Sequence, residues 1–365
     1  MSTQTSPPPV GTSRAARGAA RKRRRRLTAA IAALAIVGAG AWLLRPGDDL
    51  PVPSVAASDG ASAPIPALQP TTFAISVRDA AVPLIAVVHV GGEGEVPALT
   101  IPADMQLEVP GLGESSTAGI ARQNAERMRS ALSNTLGTWI DHYLVLDLQE
   151  VAVLADAAGG LTVTLPGQIT FSDGVVGPGP VTMDGTHVSE YLGIDGPNAF
   201  TRWEVVLPAL LTARTGGSLT GQSDELGAVA RLLPVGAAVR IDTFPTRISA
   251  SSSRVPDFDG LDAMMASDFG VLSPPVPVLV QNGVGDPGVA AEIPALLVPK
   301  GFRIVLSANA DSFDHRTTLV IAGGADHVTE ARRVLRALGV GELGVTEVPS
   351  GLADITIVIG KDFTA

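Results

Sequence analysis

Cysteine is absent from this 365-residue chain, so it offers no disulfide, no thiolate nucleophile and no cysteine metal site. Whatever stands outside a cytoplasm must hold together by its core alone. Histidine is scarce, and the five present (His89, His142, His187, His315 and His327) show no metal-ligand pairing with one another or with a carboxylate on a helix face. They read as structural residues, with His142 set to orient the strand that follows it. No G-x-S-x-G elbow occurs and no Ser/His/Asp set stands out. The residue types therefore nominate no metal centre and no hydrolase triad.

Acidic residues are also missing, but only from the N-terminus: none precedes Asp48. Eight basic residues occupy that stretch instead, namely Arg14, Arg17, Arg21, Lys22, Arg23, Arg24, Arg25 and Arg26. They abut residues 27–44, LTAAIAALAIVGAGAWLL, an uncharged run of 18 residues that can cross a thin bilayer. The positive-inside rule places the N-terminus in the cytoplasm and exports the rest, giving a single-pass protein of the plasma membrane. A cleaved signal peptide is the competing reading, but the Ala61-Ser62-Ala63 site lies far beyond the apolar run. A basic collar against a span orients it and touches anionic lipid.

Beyond the span, 18 of the 26 Lys and Arg face all 36 Asp and Glu. So acidic an exterior argues against a nucleic-acid partner and against a transcription regulator. It also opposes any polyanionic substrate unless arginines gather locally.

The pattern divides the chain into a basic cytoplasmic tail (1–26), a transmembrane helix (27–44), a Pro/Ala/Ser linker (45–70), an α/β domain (71–248), a second linker (249–275) and a small C-terminal α/β domain (276–365). In the first domain, 73–77, 84–90 and 98–101 read as strands. A helix runs from a cap at Ser115, Ser116 or Thr117 to Leu136, with Ile120, Met128, Leu132 and Leu136 on its apolar face and Arg122, Glu126, Arg127 and Arg129 largely opposite. Residues 173–180 read as a Gly/Pro loop, 184–192 and 197–213 as helices (the second crossing Pro208), and 239–244 as a closing strand. The C-terminal domain reads as βαβ followed by βαββ, with strands at 276–280, 302–306, 317–321, 344–348 and 355–359 and helices at 288–298 and 326–338. Its Gly283-x-Gly285-x-x-Gly288 matches a dinucleotide fingerprint in form, and Asp311 falls near the ribose position. The domain is too small for that fold. The glycines read better as a tight turn, with Pro287 opening the helix.

The most specific phrase is IDHYLVLDLQEVAVLADAAGGLTVTLP, residues 140–166. It reads as strand 143–148, a helix with Val151, Leu154, Ala155 and Ala158 inward, a stop at Gly159-Gly160, and strand 161–165 ending at Pro166. A unit this compact predicts a right-handed parallel crossover and an α/β sheet covered by helices. The phrase closely resembles the LytR-CpsA-Psr (LCP) domain, a bacterial envelope family that attaches lipid-linked glycopolymers to the cell wall. VLVQNGVGDPGVA, GFRIVLSANAD and IVIGKDF resemble the LytR C-terminal domain over nearly all of 276–363.

The resemblance also implies a site, and there the sequence departs from the family. The phrase S-[ILV]-P-R-D, whose Arg grips a pyrophosphate, reads Thr100-Ile101-Pro102-Ala103-Asp104. The family's acidic residue beside Mg²⁺ falls at Val82-Pro83. Its Y-x-R-x-R reads Tyr191-Leu192-Gly193-Ile194-Asp195, and its R-Q pair reads Arg202-Trp203. Asp104 and Arg202 remain as remnants of a ligand site. Each lost charge-stabilising donor is worth about 2–4 kcal/mol in transition-state binding. The expectation is a degenerate LCP-like protein without a cofactor, assisting wall assembly by binding a polyprenyl-linked glycan, peptidoglycan or another LCP protein. The alternative is a working phosphotransferase that uses Mg²⁺ and borrows arginines such as Arg78 or Arg122.

Overall fold

The computed structural model describes residues 70–91, 95–196, 198–213, 238–286, 288–347 and 351–364. The basic tail, the 27–44 run and the linker up to residue 69 lie outside the described residues. Among those described, no helix is long and apolar enough to cross a membrane.

Strands β1 (Thr71–Val77), β2 (Leu84–Val90) and β3 (Val96–Ile101) form an antiparallel meander. β6 (His142–Leu146) joins β1 in parallel and β11 (Val239–Thr243) joins β3 in parallel, giving the order β11-β3-β2-β1-β6. The central strands are apolar almost without interruption because both sheet faces are covered. Phe73, Ile75, Val77, Leu84, Ala86 and Val88 pack on one face with α3 (Leu148–Ala157), α4 (Gly185–Gly193) and α5 (Ala199–Thr212). Ala74, Ile85, Val87, Leu99 and Ile101 pack on the other with α1 (Thr117–Gln123), α2 (Ala125–Leu136) and α6 (Phe258–Asp268).

The structure corrects several expectations. Residues 140–166 do make a strand, a helix and a strand, but not a parallel crossover. β7 (Leu161–Leu165) leaves the main sheet and pairs antiparallel with β10 (Gly179–Met183). Its burial alternates, with Thr162 and Thr164 exposed, which suits a ribbon wet on one side. Thr162 and Thr182 face each other across it, with 3.0 Å between their hydroxyls.

The expected helix ending at Leu136 is two helices. Ser116 caps α1, and Asn124, at φ −158°, breaks the run and caps α2 through a 3.0 Å bond from the Arg127 amide. Ile120, Met128, Leu132 and Leu136 are buried as expected. A hairpin the pattern did not announce, β4 (Gln106–Val109) with β5 (Gly113–Ser116), precedes them. Residues 173–180 hold strand β9 (Gly174–Val176), paired with β8 (Ile169–Phe171), and the start of β10. Within 249–275, β13 (Arg254–Pro256) pairs with β12 (Thr246–Ile248), and α6 buries Leu261 and Met265 in the core, so much of that stretch is ordered packing.

The C-terminal domain has its own core and a five-stranded sheet of order β15-β14-β18-β16-β17. Its strands are β14 (Val276–Asn282), β15 (Phe302–Asn309), β16 (Leu319–Ala322), β17 (Glu342–Val345) and β18 (Ile355–Ile359), with helices α7 (Ile293–Leu297) and α8 (Val328–Leu338). The βαβ and βαββ order is present, and only the β16–β18 pair is antiparallel among its paired strands. Asp326 sits in a 3-10 turn and does not cap α8, whose N-cap is His327.

The glycine motif is a turn. The Asn282 Oδ1 accepts from the Val284 and Gly285 amides at 3.1 and 2.9 Å, and a Cβ on Gly283 would come within 2.5 Å of the Ile359 carbonyl oxygen. The helix starts at Ile293, so no helix N-terminus follows the glycines to receive a phosphate. Pro287 lies outside the described residues.

Candidate functional site at the strand ends

Parallel and antiparallel pairing together bring the C-terminal ends of β1, β3, β6 and β11 and the start of β2 to one end of the sheet. Open α/β sheets bind ligands at such strand ends. Val82-Pro83 and Ala103-Asp104, two of the four places that the resemblance singled out, gather here with the start of α3. α5 reaches the same end through Glu204, whose Oε1 accepts from Thr100 Oγ1 at 3.0 Å and Thr243 Oγ1 at 3.1 Å.

Asp104, Arg78, Asp79 and Arg122, charged groups at this end, each have a protein partner. Asp104 is exposed on the loop after β3, and its two carboxylate oxygens accept from Arg254 Nε at 3.1 and 3.2 Å. Arg78 Nη2 lies 3.9 Å from Asp147, the residue that caps α3 in a capping box with Glu150. Asp79 accepts from the Leu148 amide at 2.7 Å. Arg122 Nη2 donates to the Ala81 carbonyl at 3.4 Å.

Arg202 is only 7% exposed, on α5 beside the fully buried Trp203. Its Nη2 donates to the Ile194 carbonyl, and its Nε is buried without a partner. Burial pulls the guanidinium below its ordinary range, against the opposing pull of Tyr191 and Asp195. The Tyr191 hydroxyl, beneath the same layer, is pushed up by burial.

The two remnant residues therefore belong to different packing layers. Trp203 and Val206 anchor the Arg202 helix in the core of one sheet face, while Met105 and Leu107, next to Asp104, enter the core of the other. Their partners are different too: Arg254 for Asp104, the Ile194 carbonyl for Arg202. Arg78 and Arg122 are near this end but are engaged by Asp147 and Ala81.

Val82 and Pro83 offer a Mg²⁺ ion no side-chain donor, and among the described residues no group of three or more His, Asp or Glu is placed to hold a metal. The sequence alone does not single out Asp79, Glu204 or Arg254. Asp79 directly follows Arg78, Glu204 lies two residues past Arg202, and Arg254 falls in a stretch whose serines suggest a linker.

Residues 275–363 match the family described as LytR cell envelope-related transcriptional attenuator. Curated proteins give no match. Among solved structures, the chain is similar to B. subtilis TagU (14% identity, 56% of this chain and 97% of that one, TM-score 0.44). It is also similar to B. subtilis TagT (16% identity, 57% and 94%, TM-score 0.45). A third is a LytR-CPS2A-psr family protein, YwtF (TagT), with bound octaprenyl pyrophosphate lipid (15% identity, 55% and 91%, TM-score 0.42). The phrases VLVQNGVGDPGVA, GFRIVLSANAD and IVIGKDF lie within the matched residues, so the C-terminal domain of this chain is similar to that family over nearly its whole length.

Proposed function

We propose that this chain is a membrane-anchored, envelope-facing LCP-like protein that assists cell-wall glycopolymer assembly by binding and does not itself transfer the glycan. The span at 27–44 anchors it, and a polyprenyl-linked glycan is the ligand class that the LCP-like phrases favour. One observation carries the loss of catalysis: the retained arginine, Arg202, is buried and spends a guanidinium donor on the Ile194 carbonyl, while Asp104 is paired with Arg254. Phosphoryl transfer depends on positioning and on cations aimed at the developing charge. A guanidinium turned into the protein supplies neither.

The test is turnover of a polyprenyl-diphosphate glycan by the full-length protein in detergent with Mg²⁺. The expected result is saturable association with octaprenyl diphosphate that persists in EDTA, and no transfer above background. Transfer that Arg202→Ala abolishes would overturn the proposal and restore the phosphotransferase alternative.

A further inference from the structure

Where the LCP-like domain meets the C-terminal domain, α2, the β4–β5 hairpin and residues 288–295 enclose a cavity of about 440 Å³. This is within the range of small-ligand sites, and such sites favour domain interfaces. A smaller cavity of about 200 Å³ along α1 shares Val109, Leu112 and Arg127 with it and lengthens the groove.

The wall has three distinct parts. The first is Trp139, half-buried and held in place: the Arg129 guanidinium lies 4.7 Å from the ring centroid while its Nε donates to the Ile140 carbonyl at 2.8 Å. The second is the C-terminal side, where Gly288, Ala291 and Ala295 leave space. The third is a polar rim of both signs. Among the described residues, the Arg127 and Glu292 side chains have no hydrogen-bond or ion-pair partner, and the Asn124 side-chain Oδ1 accepts from the Arg127 amide, leaving the Asn124 side-chain NH₂ group to give.

This chemistry discriminates among ligands. A phosphate would meet the carboxylates of Glu126 and Glu292 against Arg127, the one cation among the lining residues, with Arg129 already engaged by Glu126 and the Trp139 ring. A lipid chain would strip water from unpaired charges and return nothing. An added peptide strand needs a free sheet edge, and the nearby edge strand β15 is taken by Asn134 and by the Ser307–Gly111 bond. A neutral polyol suits all three parts: its C–H face packs on an indole, and its hydroxyls both donate to Glu292 and accept from Arg127 and Asn124.

We infer that this interdomain groove binds a neutral saccharide segment. The inference rests on the proposed handling of an envelope glycan and adds the place and the manner of sugar contact. It gives the C-terminal domain a task, since neither domain completes the groove alone.

The experiment is isothermal titration of the full-length protein in detergent with chitotetraose, maltotetraose and mannotetraose, alongside octaprenyl diphosphate on the same preparations. At least one tetrasaccharide should bind saturably. Trp139→Ala should weaken it tenfold or more, and Arg127→Ala about fivefold. Ala291→Trp, which fills the groove from an exposed position and spares the core, should abolish it while octaprenyl diphosphate binding stays unchanged. If no tetrasaccharide binds, or if Ala291→Trp binds as the parent does, the groove proposal falls. Loss of octaprenyl diphosphate binding alone would count against the lipid reading and leave the groove standing.

Discussion

His187 is gripped at both ring nitrogens. Nδ1 lies 2.8 Å from Asp184, the cap of α4, and Nε2 lies 3.1 Å from Asp173 in the β8–β9 turn, with Phe171 edge-on against the ring. The Asp173 bond, ahead of Asp184, raises the imidazole above its ordinary value of 6.5. The folded protein thus keeps this proton to higher pH than the unfolded chain does. The stabilisation is complete below about pH 6.5 and is lost as pH rises through the folded value. His89 has the opposite sign: burial lowers its value, so its contribution is present above pH 6.5 and is lost as pH falls. Replacing His187 with Gln should therefore flatten the alkaline side of the melting-temperature profile and leave the acid side in place. An NMR titration that found the His187 ring to lose its proton below pH 6.5 would refute the clamp.

At the scale of elements, what could be read from the sequence depended on whether a segment's periodicity outweighed its punctuation. The central strands β1 and β2 and helices α3 and α4 announce themselves, since their apolar residues recur at the period of the element and their ends carry Asp147, Gly159-Gly160 and Asp184. β7 misled for a different reason. Compactness of the strand–helix–strand unit pointed to a crossover, although the alternation in LTVTL already marked a strand with one wet face. The helix break at Asn124 was hidden because the apolar positions stay in register across it. Replacing Asn124 with Ala should cost about 1 kcal/mol through the lost cap, measured by urea unfolding.

In 249–275, serines and prolines flank α6, and only Leu261 and Met265, four residues apart, mark its inward face. A linker would tolerate Leu261→Ala. A core helix should lose about 2–5 kcal/mol. A loss below 0.5 kcal/mol in the same unfolding experiment would show the stretch to be dispensable. For the candidate site the sequence nominates positions and not bonds. Asp104 and Arg202 could be named from the phrases around them, whereas Arg254 and the Ile194 carbonyl are partners only because distant segments fold together.

At the scale of the molecule, the two domains are joined by polar groups that no local pattern reveals. Asn134, on the inner face of α2, is 1% exposed. Its Nδ2 donates to the Ile304 carbonyl at 2.8 Å and its Oδ1 accepts from the Ile304 amide at 2.7 Å. The side-chain amide thus takes the place of a neighbouring strand along β15, which would otherwise be an open edge. Beside it the buried Arg303 forks onto Asp262 at 2.6 and 3.2 Å and lies 4.5 Å over the Phe258 ring. Removing one member of a buried charge pair leaves the other uncompensated, so Asp262→Ala should cost about 3–5 kcal/mol. Asn134→Ala should cost about 1–3 kcal/mol for each backbone group it strands at Ile304. Both changes should speed amide exchange along β15 well before β1 and β2 are affected, because the damage lies at the junction and the two cores are separate. If exchange rose evenly over both sheets, the domains would be unfolding as one unit and these bonds would not be the joint between them.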